Sequence, residues 1–191
     1  SQSTLFKTGD IMKRFGDIAR NIAAGAAFSV IAAGIAKFAN ESTKAFSQFD
    51  KGVREVFTLL PNVTAAAKAD IERQVLDMST NIGRSTEEIT TALYESLSAN
   101  VPESDVFAFL EAASVAARGG VTDLAVVVDG LTSVINSYGM EAADATAISD
   151  ILFQTVKFGK VRFEELSQNL STVTPVAASL GIPLEEIGAL L

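Results

Sequence analysis

Three residue types are missing from the sequence, whose 191 residues include no cysteine, histidine or tryptophan. Without cysteine there is no disulfide, thiolate metal ligand or thiol nucleophile. Without histidine there is no imidazole ligand, and the usual general base of neutral-pH catalysis is lost as well. Most familiar enzyme classes depend on one of these groups. We therefore predict a protein that is not an enzyme and that uses no cofactor or metal.

Proline and tyrosine are also scarce, whereas small and apolar residues are abundant. The chain has four Pro and two Tyr, 48% of its residues are hydrophobic, and its mean hydropathy is +0.31. A chain of this length and composition buries a sizeable core, and abundant alanine with little proline favours packed helices over sandwiches or barrels. The predicted fold class is all-α, with a long N-terminal apolar helical region followed by repeated helical hairpins.

The net charge of −8 is unevenly distributed along the chain. Residues 1–60 contain eight Lys/Arg against five Asp/Glu, a net of +3, whereas residues 61–191 contain seven against eighteen, a net of −11. Binding to a phosphate backbone needs clustered Lys and Arg, so the acidic composition of residues 61–191 argues against specific nucleic-acid binding. The asymmetry indicates two regions with different neighbours, and we predict domains at 1–60 and 61–191.

Apolar residues in the first region recur at helical spacing and end at Pro61-Asn62. They form three offset stripes, so a continuous helix would rotate its apolar face or break near Gly25, Gly34 or Gly52. Spacing alone leaves open whether they pack inside the chain or against other copies. We call this candidate helix-packing and self-association surface the N-terminal stripe: Ile11, Phe15, Ile18, Ile22, Gly25, Phe28, Ile31, Gly34, Ile35, Phe38, Phe46, Phe49, Val53, Val56 and Leu60.

The stretch from Asn21 to Lys37 is the most apolar in the chain. The 16 residues between Arg20 and Lys37 would form about 24 Å of helix, shorter than the roughly 30 Å hydrocarbon core of a bilayer. Seven of them are Ala and none is Leu, so membrane insertion would gain little free energy. We interpret the stretch as a surface for close packing against sister or partner helices, and the alternative is a membrane-active module.

The second region has the pattern of repeated helical hairpins. A helix is predicted from Ala65 to Met78, with a cap suited to left-handed backbone at Asn81-Ile82-Gly83. Three later helix starts recur every 36 to 40 residues or so, at Ser85-Thr86-Glu87-Glu88, Val121-Thr122-Asp123 and Val161-Arg162-Phe163-Glu164. The spacing of Ser85 and Glu88 predicts a capping box.

Each of these helices leads to a turn in which Asn or Gly is expected to take a positive φ. The turns are Asn100-Val101-Pro102-Glu103, Gly139-Met140-Glu141 and Gly181-Ile182-Pro183-Leu184-Glu185. We count two complete hairpins and a third cut short at the C-terminus. Because the chain opens on Ser1 and closes on an apolar run within a predicted helix, we expect an internal segment of a longer protein.

The charged clusters are assigned structural roles. The acidic pairs Glu87-Glu88, Glu164-Glu165 and Glu185-Glu186 fall in predicted first turns, where carboxylates complement the helix dipole and adjacent side chains diverge. Arg118-Gly119-Gly120 is predicted to be a helix exit. The basic cluster from Lys157 to Arg162 is predicted to be a solvated loop between hairpins, with contact to nucleic acid or anionic lipid as the alternative.

An ordered set of short motifs runs through residues 45–191. It includes Ser85-Thr86-Glu87-Glu88-Ile89, Gly120-Val121-Thr122-Asp123-Leu124, Ser137-Tyr138-Gly139-Met140, Phe163-Glu164-Glu165-Leu166 and Thr174-Pro175-Val176-Ala177-Ala178-Ser179-Leu180-Gly181-Ile182. At these separations the set resembles the core region of phage tail tape measure proteins. One departure is Ala99-Asn100 where such proteins commonly have Ala-Gly, and Asn tolerates the same positive φ.

The resemblance implies a long, mostly helical structural protein of the virion. Such a protein lies in the tail tube lumen or at the tail tip, sets tail length during assembly, and leaves the tube at genome ejection. The resemblance also implies several copies, commonly three, and contacts with tail tube and tail tip or baseplate proteins. An acidic surface is compatible with this role, because it would not bind the DNA that follows through the same tube. The alternative becomes a helical module that transiently enters the host envelope and helps form a DNA conduit.

Overall fold

The computed structural model describes residues 27–190, with side-chain environments for residues 43–187. This part of the chain is helical and contains no strand, which confirms the all-α fold class. Its elements are α1 (Ala27–Leu59), α2 (Ala65–Ile82), α3 (Thr86–Ser98), α4 (Val106–Gly120), α5 (Leu124–Tyr138), a 3-10 helix (Ala142–Asp144), α6 (Ala145–Gly159), α7 (Phe163–Ser179) and α8 (Leu184–Leu190).

Helix α1 is continuous over 33 residues and ends just before Pro61-Asn62, as the sequence predicts. It passes through Gly34 and Gly52 without a break, so within its range the continuous alternative holds. The chain divides into two compact units between Ser47 and Gln48. The division therefore falls inside α1, and the second unit contains the last part of α1 together with all later helices.

The second unit is built from stacked hairpins. Helices α3, α5 and α7 begin at Thr86, Leu124 and Phe163, which are 38 and 39 residues apart and match the predicted interval. Each pairs with the helix that follows it. The first helices of the hairpins, α3, α5 and α7, pack side by side and are here called the A row. The second helices, α4, α6 and α8, form the B row. This arrangement is that of an α-solenoid, in which each repeat contacts its neighbours.

The three predicted hairpin turns have one geometry. Their Asn or Gly residue takes a φ of 67° at Asn100, 63° at Gly139 and 71° at Gly181. The next N–H then returns to a carbonyl five residues earlier: Val101 to Ser96, Met140 to Ile135 and Ile182 to Ala177, each at 3.0 Å. This is the Schellman pattern, which satisfies carbonyls that a helix end leaves free. The predicted turn chemistry is confirmed.

The end of α4 lies at the predicted exit, because the helix ends at Gly120 and Arg118 is in its last turn. The residue that follows, Val121, takes the left-handed conformation with a φ of 51°. Both glycines lie close to aromatic rings, since a Cβ at Gly119 would lie 3.0 Å from the ring of Phe153 and one at Gly120 would lie 3.1 Å from Phe163. The left-handed position is thus taken by a β-branched residue, which carries the backbone strain.

The hydrophobic core runs along both rows of the second unit. Four of its buried hydroxyls, those of Ser96, Ser114, Thr132 and Ser149, each donate to the carbonyl four residues earlier at 2.7 Å, so the helices satisfy them internally. The largest fully buried side chains are Val56, Val75, Ile89, Leu93, Val106, Phe109, Leu110, Leu124, Val127, Leu131, Ile148 and Leu170.

Candidate interaction surfaces

The N-terminal stripe lies in three settings. Its C-terminal part enters the second unit, where Val53 and Val56 are only 4% and 0% exposed and Phe49 and Leu60 are half-buried, whereas Phe46, in the first unit, is 70% exposed. Val53 and Val56 are therefore core residues of this chain. Ile11, Phe15, Ile18, Ile22 and Gly25 lie outside the described residues, and Phe28, Ile31, Gly34, Ile35 and Phe38 belong to α1 but their side chains are outside the described range. Self-association through these positions stays a prediction.

The apolar stretch from Asn21 to Lys37 overlaps the start of α1. Because α1 begins at Ala27, residues 21–26 lie outside the described part of the chain. None of the helices within residues 27–190 combines the length and hydropathy that a membrane crossing needs.

The three acidic pairs occupy first helical turns, as predicted. At the start of α3 the hydroxyl of Ser85 accepts the N–H of Glu88 at 3.2 Å, which is one half of the predicted capping box. The other half is absent at this cap, because the Glu88 carboxylate pairs with the guanidinium of Arg84 and accepts the N–H of Leu124 at 3.3 Å. Glu88 therefore joins the N-termini of α3 and α5.

Further polar contacts tie each A-row helix to the next. They join residues 37 to 44 positions apart, which is about one repeat, and so fix the register of the stack. These contacts are Arg84 Nη2 to Thr122 O at 3.3 Å, Asn136 Nδ2 to Ala99 O at 3.2 Å, Ser167 Oγ to Val126 O at 2.6 Å, Ser137 Oγ with Thr174 Oγ1 at 3.0 Å, and Tyr138 OH to Ile182 O at 2.8 Å. Burial and the Glu185 carboxylate raise the pKa of Tyr138, which keeps its hydroxyl a donor.

Two glycines let helices approach closely, one between α1 and α3 and one between α5 and α7. A Cβ at Gly52 in α1 would lie 2.8 Å from the Cβ of Thr90 in α3, and one at Gly130 in α5 would lie 3.3 Å from the Cβ of Ser167 in α7. Both distances are too short for an unchanged structure. Our sequence interpretation gave Gly130 no role. The available signal was an isolated glycine inside a strongly apolar helix, which often marks a close backbone approach.

A shallow groove beside α3 and α5 brings two carboxylates together. It is lined in part by Tyr94, Glu95, Ser98, Asp129 and Gln168. Burial raises the pKa of Glu95, and the negative charge of Asp129 raises it further. Across the described residues, no three Asp or Glu side chains are grouped in a way that could hold a metal ion. Partial burial and the facing carboxylate of Asp129 therefore both favour the protonated form of Glu95.

The basic cluster forms the connection between α6 and α7, as predicted. Lys157 lies in the last turn of α6, and its Nζ is 5.8 Å from the centre of the Phe158 ring, which is 76% exposed. Lys160 ends the helix with a φ of 55°, and Arg162 precedes the first residue of α7. Lys160 to Arg162 thus form the predicted loop, whereas Lys157 to Gly159 lie in the last turn of α6, and contact with nucleic acid or anionic lipid stays a prediction.

The stacked hairpins match a known family. The family model described as phage-related minor tail protein matches residues 72–191. A probable tape measure protein of Clostridium phage phiCD119 is 24% identical over 163 residues, which cover 83% of this chain and 17% of that protein. The chain thus spans about a sixth of that relative's length, and no solved structure matches it. Because the family match includes more than half of the chain and all three hairpins, the chain belongs to the phage-related minor tail protein family and is a component of the phage tail.

Proposed function

We propose that this chain is a segment of a tape measure protein that lies in the tail tube lumen or at the tail tip, sets tail length during assembly and leaves the tube at genome ejection. The main support is the family match over the hairpins, together with similarity to a probable tape measure protein along 83% of the chain. Its role is carried by helix packing, without catalysis, and the lack of Cys and His fits that role.

The two kinds of architecture in the chain suit different parts of this role. A single helix extends about 1.5 Å per residue, so the 33 residues of α1 span about 50 Å. A stacked hairpin of 38 or 39 residues advances the row by only about 10 Å, the usual distance between packed helices. Extended helices like α1 are therefore the efficient measuring element, and the hairpin unit is a compact docking body.

Tail length in the phage that encodes this chain tests the proposal. Removing the 21 residues Ala27–Ser47 from the parent gene should shorten the tail by about 30 Å per tail, because the helical rise is lost. Removing one hairpin, residues 123–161, should shorten it by about 10 Å or less, although it removes more residues. Tail lengths are read from electron micrographs. Equal shortening per residue at the two places, or unchanged tails in both, would reject the measuring role of α1.

Self-association through the N-terminal stripe is the second part of the proposal, with three copies in parallel. The exposed Phe46 supports it, because this apolar residue lies seven positions before the buried Val53, at helical spacing, and is itself 70% exposed. Sedimentation of the full chain should give three times its mass of 20.0 kDa. Phe38→Glu combined with Phe46→Glu should give the single-chain mass, and Ser47→Glu, exposed beside the stripe, should leave the trimer intact.

A further inference from the structure

The A row uses four positions of each helix to receive the next helix. Counted from the first helical residue, they are positions 3, 7, 10 and 14. In α5 they are Val126, Gly130, Ser133 and Ser137, all of which contact Ser167 or Thr174 of α7. In α3 they are Glu88, Ala92, Glu95 and Ala99, of which Glu88 and Ala99 bond to α5. All eight residues are buried or half-buried.

The same positions of α7 are exposed. They are Glu165, Asn169, Thr172 and Val176, and Val176 is 59% exposed. Leu180 continues this side of the helix and is 71% exposed. We call these five residues the α7 outer face. These positions are covered by the next helix in α3 and α5, whereas in α7 they carry two exposed aliphatic side chains. The difference indicates that a further helix can pack against α7.

We propose that the α7 outer face is a docking surface for a further amphipathic helix of the A-row type. The partner would place apolar side chains on Val176 and Leu180. Its first-turn N–H groups would meet Glu165, as the N–H of Leu124 meets Glu88. The inference goes beyond the tape measure proposal, because it follows from the repeat packing alone and does not depend on the N-terminal stripe.

The row also shows which residue sizes fit at one contact. Gly130, at position 7 of α5, lies against Ser167, at position 5 of α7, and Gly52 in the same way lies against Thr90, at position 5 of α3. In these pairs a glycine allows the side chain opposite to fit. At the corresponding place between α3 and α5 there is no glycine, because position 7 of α3 is Ala92 and position 5 of α5 is Val128. A residue larger than glycine at position 7 is therefore compatible with a docked helix.

Helices α5 and α7 of a second folded copy cannot supply such a helix. An A-row helix docks through positions 1, 5, 8 and 12, and in α7 these are Phe163, Ser167, Leu170 and Thr174, all of which are buried. The four corresponding residues of α5, from Leu124 to Ile135, are buried as well. The docking helix therefore comes from a segment that is not already packed in this fold.

Single cysteines test the docking, because the chain has none of its own. Thr172→Cys places a thiol on the α7 outer face. Gln168→Cys is the matched control, because position 6 is exposed in all three helices, as Thr91, Asp129 and Gln168. The docking helix is provided by extending the full chain directly with a second copy of residues 153–191. This join keeps the register, because α6 and α8 begin 39 residues apart.

The reaction rate with an aromatic disulfide reagent is measured for both cysteines in the 191-residue and extended chains. The expected result is a Thr172→Cys thiol that reacts fast in the original chain and at least about tenfold more slowly in the extended one, with Gln168→Cys fast in both. A Thr172→Cys rate that is unchanged by the extension overturns the proposal, whether the added repeat folds elsewhere or fails to fold. Concentration-dependent protection in the unextended chain also overturns it, in favour of a second copy.

Discussion

Gly130 of α5 and Ser167 of α7 lie in direct contact, and their contact fixes how closely the second and third A-row helices approach. A Cβ on Gly130 would lie 3.3 Å from the Ser167 Cβ and closer still to its hydroxyl. That hydroxyl donates to the carbonyl of Val126 at 2.6 Å, so it is not free to rotate away without losing a bond. Because Gly130 has no side chain, Ser167 can lie close enough to α5 for its hydroxyl to bond to the Val126 carbonyl.

Gly130→Ala is expected to destabilise the chain by about 1–3 kcal/mol, because the added methyl overpacks the contact with Ser167. The direction is informative, since Ala in place of Gly inside a helix normally gains about 1 kcal/mol. Urea unfolding followed by circular dichroism measures the change. In a Ser167→Ala background the cost of Gly130→Ala should fall, because the hydroxyl that it meets is gone. A more stable Gly130→Ala chain would mean that the helices do not approach so closely.

Glu88→Ala is expected to cost about 2 kcal/mol or more in the free energy of unfolding. The substitution removes the acceptor for the N–H of Leu124 and leaves the half-buried guanidinium of Arg84 without its carboxylate partner. Glu87→Ala is the control, because it removes a carboxylate from the same first turn at an exposed position and should cost only a few tenths of a kcal/mol. Equal costs for the two substitutions would reduce the role of Glu88 to a helix-dipole effect.

The parts of the fold that depend on local chemistry were predictable from the sequence. Helix periodicity, the positive φ at Asn100, Gly139 and Gly181, and the acidic first turns all follow from residues within one or two turns of each other. The family resemblance was likewise readable from ordered motifs. The features that the sequence did not predict depend on contacts between residues about one repeat apart. Glu88 has capping-box spacing, yet its carboxylate bonds to Leu124, which lies 36 residues further along the chain.

The end of α4 shows the same limit. Two consecutive glycines predict a helix exit, but they do not show that each lies against an aromatic side chain from a later hairpin, Phe153 or Phe163. In the N-terminal stripe, spacing identified an apolar face over residues 46–60, and it did not distinguish Val56, which is buried, from Phe46, which is exposed. Periodicity finds an apolar face, and the partner of that face is a non-local property.

Val121→Gly is expected to stabilise the chain by about 0.5–1 kcal/mol. Val121 has a φ of 51° and is 92% exposed, so the substitution removes backbone strain and loses almost no packing. Val115→Gly is the control, since Val115 is 58% exposed in the interior of α4 and should lose about 0.5 kcal/mol through helix propensity. Thermal unfolding of the two variants should shift in opposite directions, and a lower midpoint for Val121→Gly would show that its αL backbone is not strained.

Glu95→Gln is expected to stabilise the chain by about 0.5 kcal/mol at neutral pH, because it removes a partly buried charge that faces Asp129. Burial, and then Asp129, raise the folded-state pKa of Glu95 above its ordinary value of 4.5. The folded chain therefore binds a proton more tightly than the unfolded chain does. Ionised Glu95 lowers stability above the raised pKa, and that loss is relieved as the pH falls through the raised pKa toward 4.5.

The advantage of Glu95→Gln should accordingly shrink between about pH 7 and pH 4, as measured by urea unfolding at both values. Asp129→Asn separates the two causes. In that background Glu95→Gln should gain less at neutral pH, by the part due to like-charge repulsion, and what remains is the cost of burial. A gain that is the same at both pH values would show that the glutamine side chain packs better for reasons of shape. A loss at neutral pH would mean that the Glu95 carboxylate has a favourable partner in the folded chain.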